Sequence, residues 1–257
     1  MRLEMYLDGP SISMNVLMPE SWLNGGVSSG KTVWLLHDKM DLASDWLSFT
    51  QAELYAEQAS VAFVCVSTLS ARYTNWQSGC TWETFFTQDM WDYVHEIFPI
   101  LSRRPEDNLL FGYGRGGFGA IKYTLTYPEK YGAAYSVAYN DQPVLDAMNG
   151  VAKVFPTTGT GYGTPEEVAC SNDNLPWLIQ RFAASGKRKP PIHLVVRTED
   201  AGYQRTMEIF SCLKANQYNA VLEEEPGRGR TQEPGFAGDV NLWFYVNEQL
   251  GKAVHLF

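Results

Sequence analysis

Residues 108–120 read Asn-Leu-Leu-Phe-Gly-Tyr-Gly-Arg-Gly-Gly-Phe-Gly-Ala, and this stretch limits the fold of the chain more than any other. Leu109, Leu110 and Phe111 make a short apolar run of strand character, closed by closely spaced glycines from Gly112 onward. A helix-like pattern leaves that turn over residues 118–127. A buried strand that passes through glycines straight into a helix is one unit of a wound sheet, because the helix must pack back over the strand that feeds it.

The rest of the chain repeats the unit. Strands are expected at 13–18, 32–37, 61–67, 109–111, 133–138, 192–197 and 220–224. The runs 32–37 and 61–67 are apolar without alternation, as strands covered on both faces are. Helices are expected at 49–58, 118–127, 175–184 and 203–215. Phe86, Met90, Val94 and Ile97 recur at helical spacing before Pro99, and Trp243, Val246 and Leu250 share one face of a last helix. Residues 139–174 break the rhythm with Gly, Thr, Pro and Asn, and read as an insertion over the sheet edge. With no repeat and no linker, residues 1–257 read as one α/β domain, a mostly parallel wound sheet flanked by helices.

Composition removes several function classes. Lys and Arg number 20 against 29 Asp and Glu, a net charge of −9, whereas a nucleic-acid surface needs clustered cations. No apolar run is long enough to span a bilayer, so no membrane partner is expected. Glu4 and Asp8 stand where a signal peptide needs an apolar stretch, which makes the cytoplasm the expected address. Cys65, Cys80, Cys170 and Cys212 form no Cys-x-x-Cys pair. Neither a zinc site nor a redox motif is indicated, no metal or cofactor is expected, and buried free thiols are the default.

In the pattern Gly-x-Ser-x-Gly the central serine is a nucleophile on a strand-to-helix elbow. Counted from Gly112, the centre is Gly114, which carries no side chain. The chain nevertheless resembles the esterase D group of α/β hydrolases, and within it the small tributyrin-esterase-like carboxylesterases. The resemblance is carried in order by Ser13-Met-Asn-Val-Leu-Met-Pro19, by Leu35-Leu-His37 with Trp46, and by Arg72-Tyr-Thr-Asn75. Phe98-Pro99 with Arg104-Pro-Glu-Asp107, the elbow itself, Ala184-Ser-Gly-Lys187, Thr198-Glu-Asp200 and residues 223–227 complete it. It implies a single-domain α/β-hydrolase fold, and in the family an ester hydrolysis by Ser, His and acid beside an oxyanion hole.

Carried over residue by residue, only part of that machinery is present. The nucleophile position is Gly114, and the acid matches Asp200, with Glu199 beside it. The base position, two residues before Trp243, is Asn241, and no histidine lies between His193 and His255. Asn241 is also a good helix N-cap, and both readings stand. The family's His-Gly at the oxyanion segment is His37-Asp38 here. A carboxylate at that place opposes a developing oxyanion, unless Asp38 points outward as a turn residue. His37 reads as a structural hydrogen-bonding residue; His95, His193 and His255 read as non-catalytic.

No substitute nucleophile is evident: Cys65, Ser70 and Ser136 lie in or near strands, and Cys80 is loop-like with no histidine near it in sequence. Arg115 follows Gly114 at the start of the elbow helix, where unpaired amides favour anions. It either builds a carboxylate or phosphate receptor with them or closes the pocket by pairing with Asp38 or Asp200. Trp46, Tyr73, Trp76, Trp82 and Trp243 are core residues for the most part, some of them lining the old pockets. The loop 226–235, rich in Gly and Pro and carrying Arg228 and Arg230, is expected at the cleft rim.

These features favour an esterase homologue without serine-hydrolase activity that binds a small molecule, anionic in class, or a partner through the old cleft. The alternatives are an ester hydrolase with a non-standard site built on Asp200, Glu199 or Cys80, and a subunit pairing with an active homologue. A homo-oligomer is compatible with all three.

Overall fold

The computed structural model describes residues 2–6, 11–23, 29–38, 41–67, 73–75, 81–140, 164–229 and 240–256. Strands β1 (Arg2–Tyr6) and β2 (Ser11–Leu17) come first, followed by a short helix α1 (Glu20–Leu23) and β3 (Lys31–Leu36). Helices α2 (Ala43–Phe49) and α3 (Ala52–Ala59) lead into β4 (Val61–Val66). Then α4 (Trp82–Thr84), a π-helical turn Phe85–Asp89 and α5 (Met90–Ile97) run without a break. After the 3-10 turn Pro105–Asp107 come β5 (Asn108–Tyr113), α6 (Arg115–Thr126) and β6 (Ala133–Val137). The chain closes with α7 (Pro165–Ala169), α8 (Leu175–Ala184), β7 (Ile192–Arg197), α9 (Tyr203–Ala215), β8 (Ala220–Glu225) and α10 (Val240–Val254).

Among the described residues these strands form one eight-stranded sheet in the order β1-β2-β4-β3-β5-β6-β7-β8. The β1–β2 and β2–β4 pairs are antiparallel and all others parallel, as the wound α/β reading expects. Alternation along each strand divides the core in two. Trp34, Leu36, Val64 and Leu110 face α5, α6 and α8. Val33, Leu35, Phe63 and Phe111 face Trp46 of α2, Ala56 of α3 and Val246 of α10. Every residue of β4 and β5 is buried, which explains why β4 is apolar throughout; in β5 the buried Asn108 is satisfied by Trp34 Nε1 and by the Ser102 and Arg104 carbonyls.

Register decides where chemistry can occur. Leu36 of β3 pairs with Gly112 of β5. Two residues further on, Asp38 and Gly114 therefore leave the sheet side by side at its carboxyl edge. Tyr113 pairs with Val137 of β6, which pairs with Val195 of β7, so the turn holding Asp200 opens on that edge as well.

The structure differs from the sequence expectations at four places. The helix expected at 49–58 is α3, which starts only at Ala52 because Thr50 is extended and Gln51 donates its amide to Asn247 Oδ1 of α10 at 2.7 Å; Phe49 instead ends α2, a helix the sequence pattern does not announce. The stripe Phe86, Met90, Val94 is buried, but Ile97, the last residue of α5, reaches the surface, and the next residue, Phe98, is buried in its place. β1 is a strand that the sequence pattern does not announce. Asn241 lies inside α10 rather than at its N-cap, because Val240 before it is already helical. Of the expected insertion at 139–174, residues 141–163 lie outside the described residues. No helix among the described residues is long and apolar enough to cross a membrane.

Candidate active site

The β5–α6 turn has the backbone of a nucleophile elbow. Gly114 sits at φ 57°, ψ −119°, a conformation that side chains adopt only under strain. Its amide donates to Val137 O at 2.9 Å and its carbonyl accepts from Gly117 N at 3.1 Å, which locks the turn between β6 and α6. A Cβ on Gly112 would lie 2.1 Å from Gly116 O, and one on Gly116 would lie 1.9 Å from Leu36 O. Both obstacles are backbone, so these two glycines are obligatory, and they place Gly114 at the centre of the motif.

The space above Gly114 is filled by Asp38. A Cβ on Gly114 would meet Asp38 Oδ2 at 2.2 Å and Asp38 Cγ at 2.3 Å. The Asp38 carboxyl group thus lies about where the serine of an elbow would carry its hydroxyl. Its Oδ1 accepts the backbone N–H of Arg115 at 3.0 Å. In an elbow hydrolase that N–H, from the residue after the nucleophile, is an oxyanion donor. One side chain therefore takes both the nucleophile's place and an oxyanion donor. The outward-pointing reading of Asp38 is corrected: it turns into the elbow, drawn by the amide and the positive end of α6. The Arg115 side chain is itself buried, and the anion beside the α6 terminus is the chain's own carboxylate.

A second carboxylate lies near enough to feel the charge of the first. Tyr113, between the two elbow glycines, donates its hydroxyl to Asp41 Oδ2. Burial pushes Asp41 up to about 7; the Tyr113 hydrogen bond opposes this, and the charges of Asp38 and Asp45 add to it. Tyr113 is raised well above its ordinary value by the same burial and by Asp41. Neither residue stands out in sequence alone; the acid spacing Asp38, Asp41, Asp45 after a buried strand is the available signal. His37 is fully buried with Nδ1 donating to Asp38 O at 2.5 Å, a structural role, and its burial lowers its pKa.

The acid end is built differently. Asp200 is buried in the turn before α9, and its Oδ1 accepts the Gly202 amide at 2.6 Å. A Cβ on Gly229 would stand 2.2 Å from Asp200 Oδ2, so the β8–α10 loop packs its backbone on the carboxylate. Glu199 donates its amide to Gly227 O at 3.1 Å, and Arg197 Nη1 reaches Arg228 O at 3.0 Å, which fasten the loop there. An imidazole bound to Asp200 Oδ2 would have to share its place with Gly229. The start of the 226–235 loop thus meets Asp200, with Arg228 exposed and 3.8 Å from Glu199. Arg230, the rest of that loop and the Asn241 side chain lie outside the described residues.

The other candidates fall away from the cleft. Cys65 is fully buried and its thiol is pushed far up by burial. Cys170 is exposed and Cys212 half-buried, a correction to the expectation of buried thiols throughout; Cys80 and Ser70 lie outside the described residues. His95 bridges Trp91 O and Ser102 O, and His193 bonds Glu223 at 2.7 Å, so both serve structure. Trp46, Tyr73, Trp82 and Trp243 are all buried core, while Trp76 lies outside the described residues. No three His, Cys, Asp or Glu side chains among the described residues come together to hold a metal ion.

Comparison with known proteins agrees with this architecture. The family model described as "Putative esterase" matches residues 9–218. FphF, a fluorophosphonate-binding serine hydrolase of Staphylococcus aureus, superposes with a TM-score of 0.81 at 22% identity, covering 100% of this chain and 96% of its own. The S-formylglutathione hydrolase FrmB of Staphylococcus aureus gives 0.75 at 19% identity, covering 100% and 97%. An S-formylglutathione hydrolase from Agrobacterium tumefaciens gives 0.73 at 11% identity, covering 100% and 92%. At these identities the likeness to solved structures speaks for the fold. No curated protein matches the chain in sequence. The elbow turn, the sheet order and a family match over most of the length place this chain in the esterase family of α/β hydrolases, as an esterase D-like member.

Proposed function

We propose that this protein does not hydrolyse esters by the serine route, and that its former catalytic cleft binds a small molecule or a partner. The observation that carries the reading is the Asp38 carboxyl group seated over Gly114 on the Arg115 amide. With the nucleophile absent, an enzyme of this kind loses on the order of 10⁶ in turnover. Here a developing oxyanion would also meet a carboxylate in place of a free donor. An anionic ligand has to displace Asp38 before it can use the same amide.

The test is a fluorophosphonate probe together with 4-nitrophenyl butyrate. The protein should remain unlabelled, and hydrolysis should not exceed that of a boiled control. Stoichiometric labelling, or turnover that follows the protein through purification, overturns the proposal. A second reading, hydrolysis at a non-standard site, rests on the same carboxylate, since a carboxylate can serve as a nucleophile. Turnover abolished by Asp38→Asn would establish it.

A further inference from the structure

Lys122 lies on α6, two turns beyond the elbow, and its side chain is fully buried. Its ammonium holds three partners: Glu83 Oε2 of α4 at 2.6 Å, Asp173 Oδ1 of the turn before α8 at 2.5 Å, and Tyr73 O at 3.0 Å. Burial alone would lower the pKa of this amine, but Asp173 and Glu83 outweigh it and the ammonium is held above its ordinary value. Tyr127 donates a further hydrogen bond to Glu83 Oε1 at 2.9 Å.

Tyr73 is the unusual member. It is fully buried at φ 56°, a left-handed conformation that a bulky side chain keeps only when its surroundings hold it there. Lys122 holds its carbonyl, and its ring rests on α6 where Gly119 leaves space; a Cβ there would lie 2.7 Å from Tyr73 Cγ. Its hydroxyl donates to His37 O at 2.7 Å. That carbonyl belongs to the peptide joining His37 to Asp38, so fixing it fixes the direction in which the Asp38 side chain leaves the backbone.

We infer that Lys122 and Tyr73 are positioning residues that seat the Asp38 carboxylate over Gly114, through the contacts Lys122 Nζ to Tyr73 O and Tyr73 Oη to His37 O. The inference rests on the reading of Asp38 as occupant of the elbow and extends it. Occupancy of the old nucleophile site then depends on Glu83 and Asp173, two carboxylates on segments far apart in the chain. Whatever draws either of them off Lys122 loosens Asp38 and frees the Arg115 amide. The ion triad has a purely structural alternative, holding α4 and the α8 turn to α6. The two roles separate at the Arg115 N–H, which a structural brace would not single out.

The experiment is native-state amide exchange at Arg115, with Leu125 of the same helix as internal control. Tyr73→Phe removes only the hydroxyl. It should speed exchange at Arg115 at least about fivefold, the size of one hydrogen bond's contribution, and leave Leu125 unchanged. In an Asp38→Ala background the same substitution should have no further effect at Arg115, since nothing remains to be positioned. Lys122→Met leaves two buried carboxylates unpaired and so threatens the fold. The neutral triple Lys122→Met/Glu83→Gln/Asp173→Asn avoids that, and should also speed Arg115 selectively. Unchanged Arg115 exchange in Tyr73→Phe, or equal acceleration with and without Asp38, overturns the relay. Exchange at Arg115 unaffected by Asp38→Ala itself overturns the seat and the relay with it. Ester hydrolysis by the parent protein would sink the proposed function while leaving this measurement readable.

Discussion

At the elbow, the chain has the backbone of a nucleophile turn with glycine at its centre; at the turn before α9 it has a buried carboxylate, Asp200, and a backbone closed over it. The elbow glycines persist in the structure for packing reasons. Gly112 touches α6 and Gly116 touches β3, so that turn is needed to dock helix on sheet whatever chemistry follows. The side chain at position 114 has no such duty, and a carboxylate from the neighbouring strand end uses its space. At the acid end the dependence is reversed. Asp200 holds its own turn through the Gly202 amide, a structural task that survives without a histidine to orient, while the loop beyond β8 is free to settle onto it. The elbow is thus fixed by its backbone, whereas the Asp200 turn is fixed by a side chain that holds its own loop.

The sharpest break of this comparison is a methyl group at each end. Gly116→Ala drives a Cβ into the Leu36 carbonyl, which cannot move without shifting β3. It should cost about 4 kcal/mol in denaturant unfolding, at the upper end for overpacking. A cost below about 1 kcal/mol would mean that the elbow glycines are not structural.

Asp41 gives the elbow a pH dependence next in size. Its pKa is raised from 3.8 to about 7 in the fold, so the folded state favours the protonated form. The associated stability is fully present below about 3.8 and is lost as pH rises through about 7, an upper limit of about 4 kcal/mol. Asp41→Asn should remove that slope and make the protein more stable than the parent at pH 8, read from melts across pH 4–8. Parallel curves for parent and variant would refute the burial argument.

Gly114→Ser comes third. The positive φ alone costs about 1–3 kcal/mol with a side chain present, and the collision with Asp38 adds to it. The thermal midpoint should fall, and adding Asp38→Gly should recover part of the loss. Neither variant should hydrolyse esters, and adding Asn241→His should restore little while Gly229 sits on Asp200. If Gly114→Ser were more stable than the parent, Asp38 could not occupy the elbow as described.

The smallest effect belongs to the acid end. In Gly229→Ala the obstacles are the Asp200 carboxylate and its Cβ, so the loop carrying Gly229 has to shift off the Asp200 turn, and because a loop yields more easily than a strand about 1 kcal/mol is expected. A loss as large as that of Gly116→Ala would erase the contrast between a rigid elbow and an adaptable loop.

The sequence by itself determined the elements whose causes are local. The elbow turn follows from its glycine spacing, α8 and α9 coincide with the expected 175–184 and 203–215, and β7 with 192–197. It also determined that glycine stands at 114 and asparagine at 241, because residue identity does not depend on the fold. Only the tertiary structure decided what fills the gap. Helix α2 ends where Asn247, 196 residues from Gln51, takes up a backbone amide; β1 becomes a strand by pairing with β2. Asp38 enters the elbow because Leu36 and Gly112 are partners in the sheet, and Gly229 reaches Asp200 because β7 and β8 are neighbours. These are contacts between chain segments whose distance along the sequence carries no trace of their distance in space. Register and helix packing set them, and local propensity cannot express either.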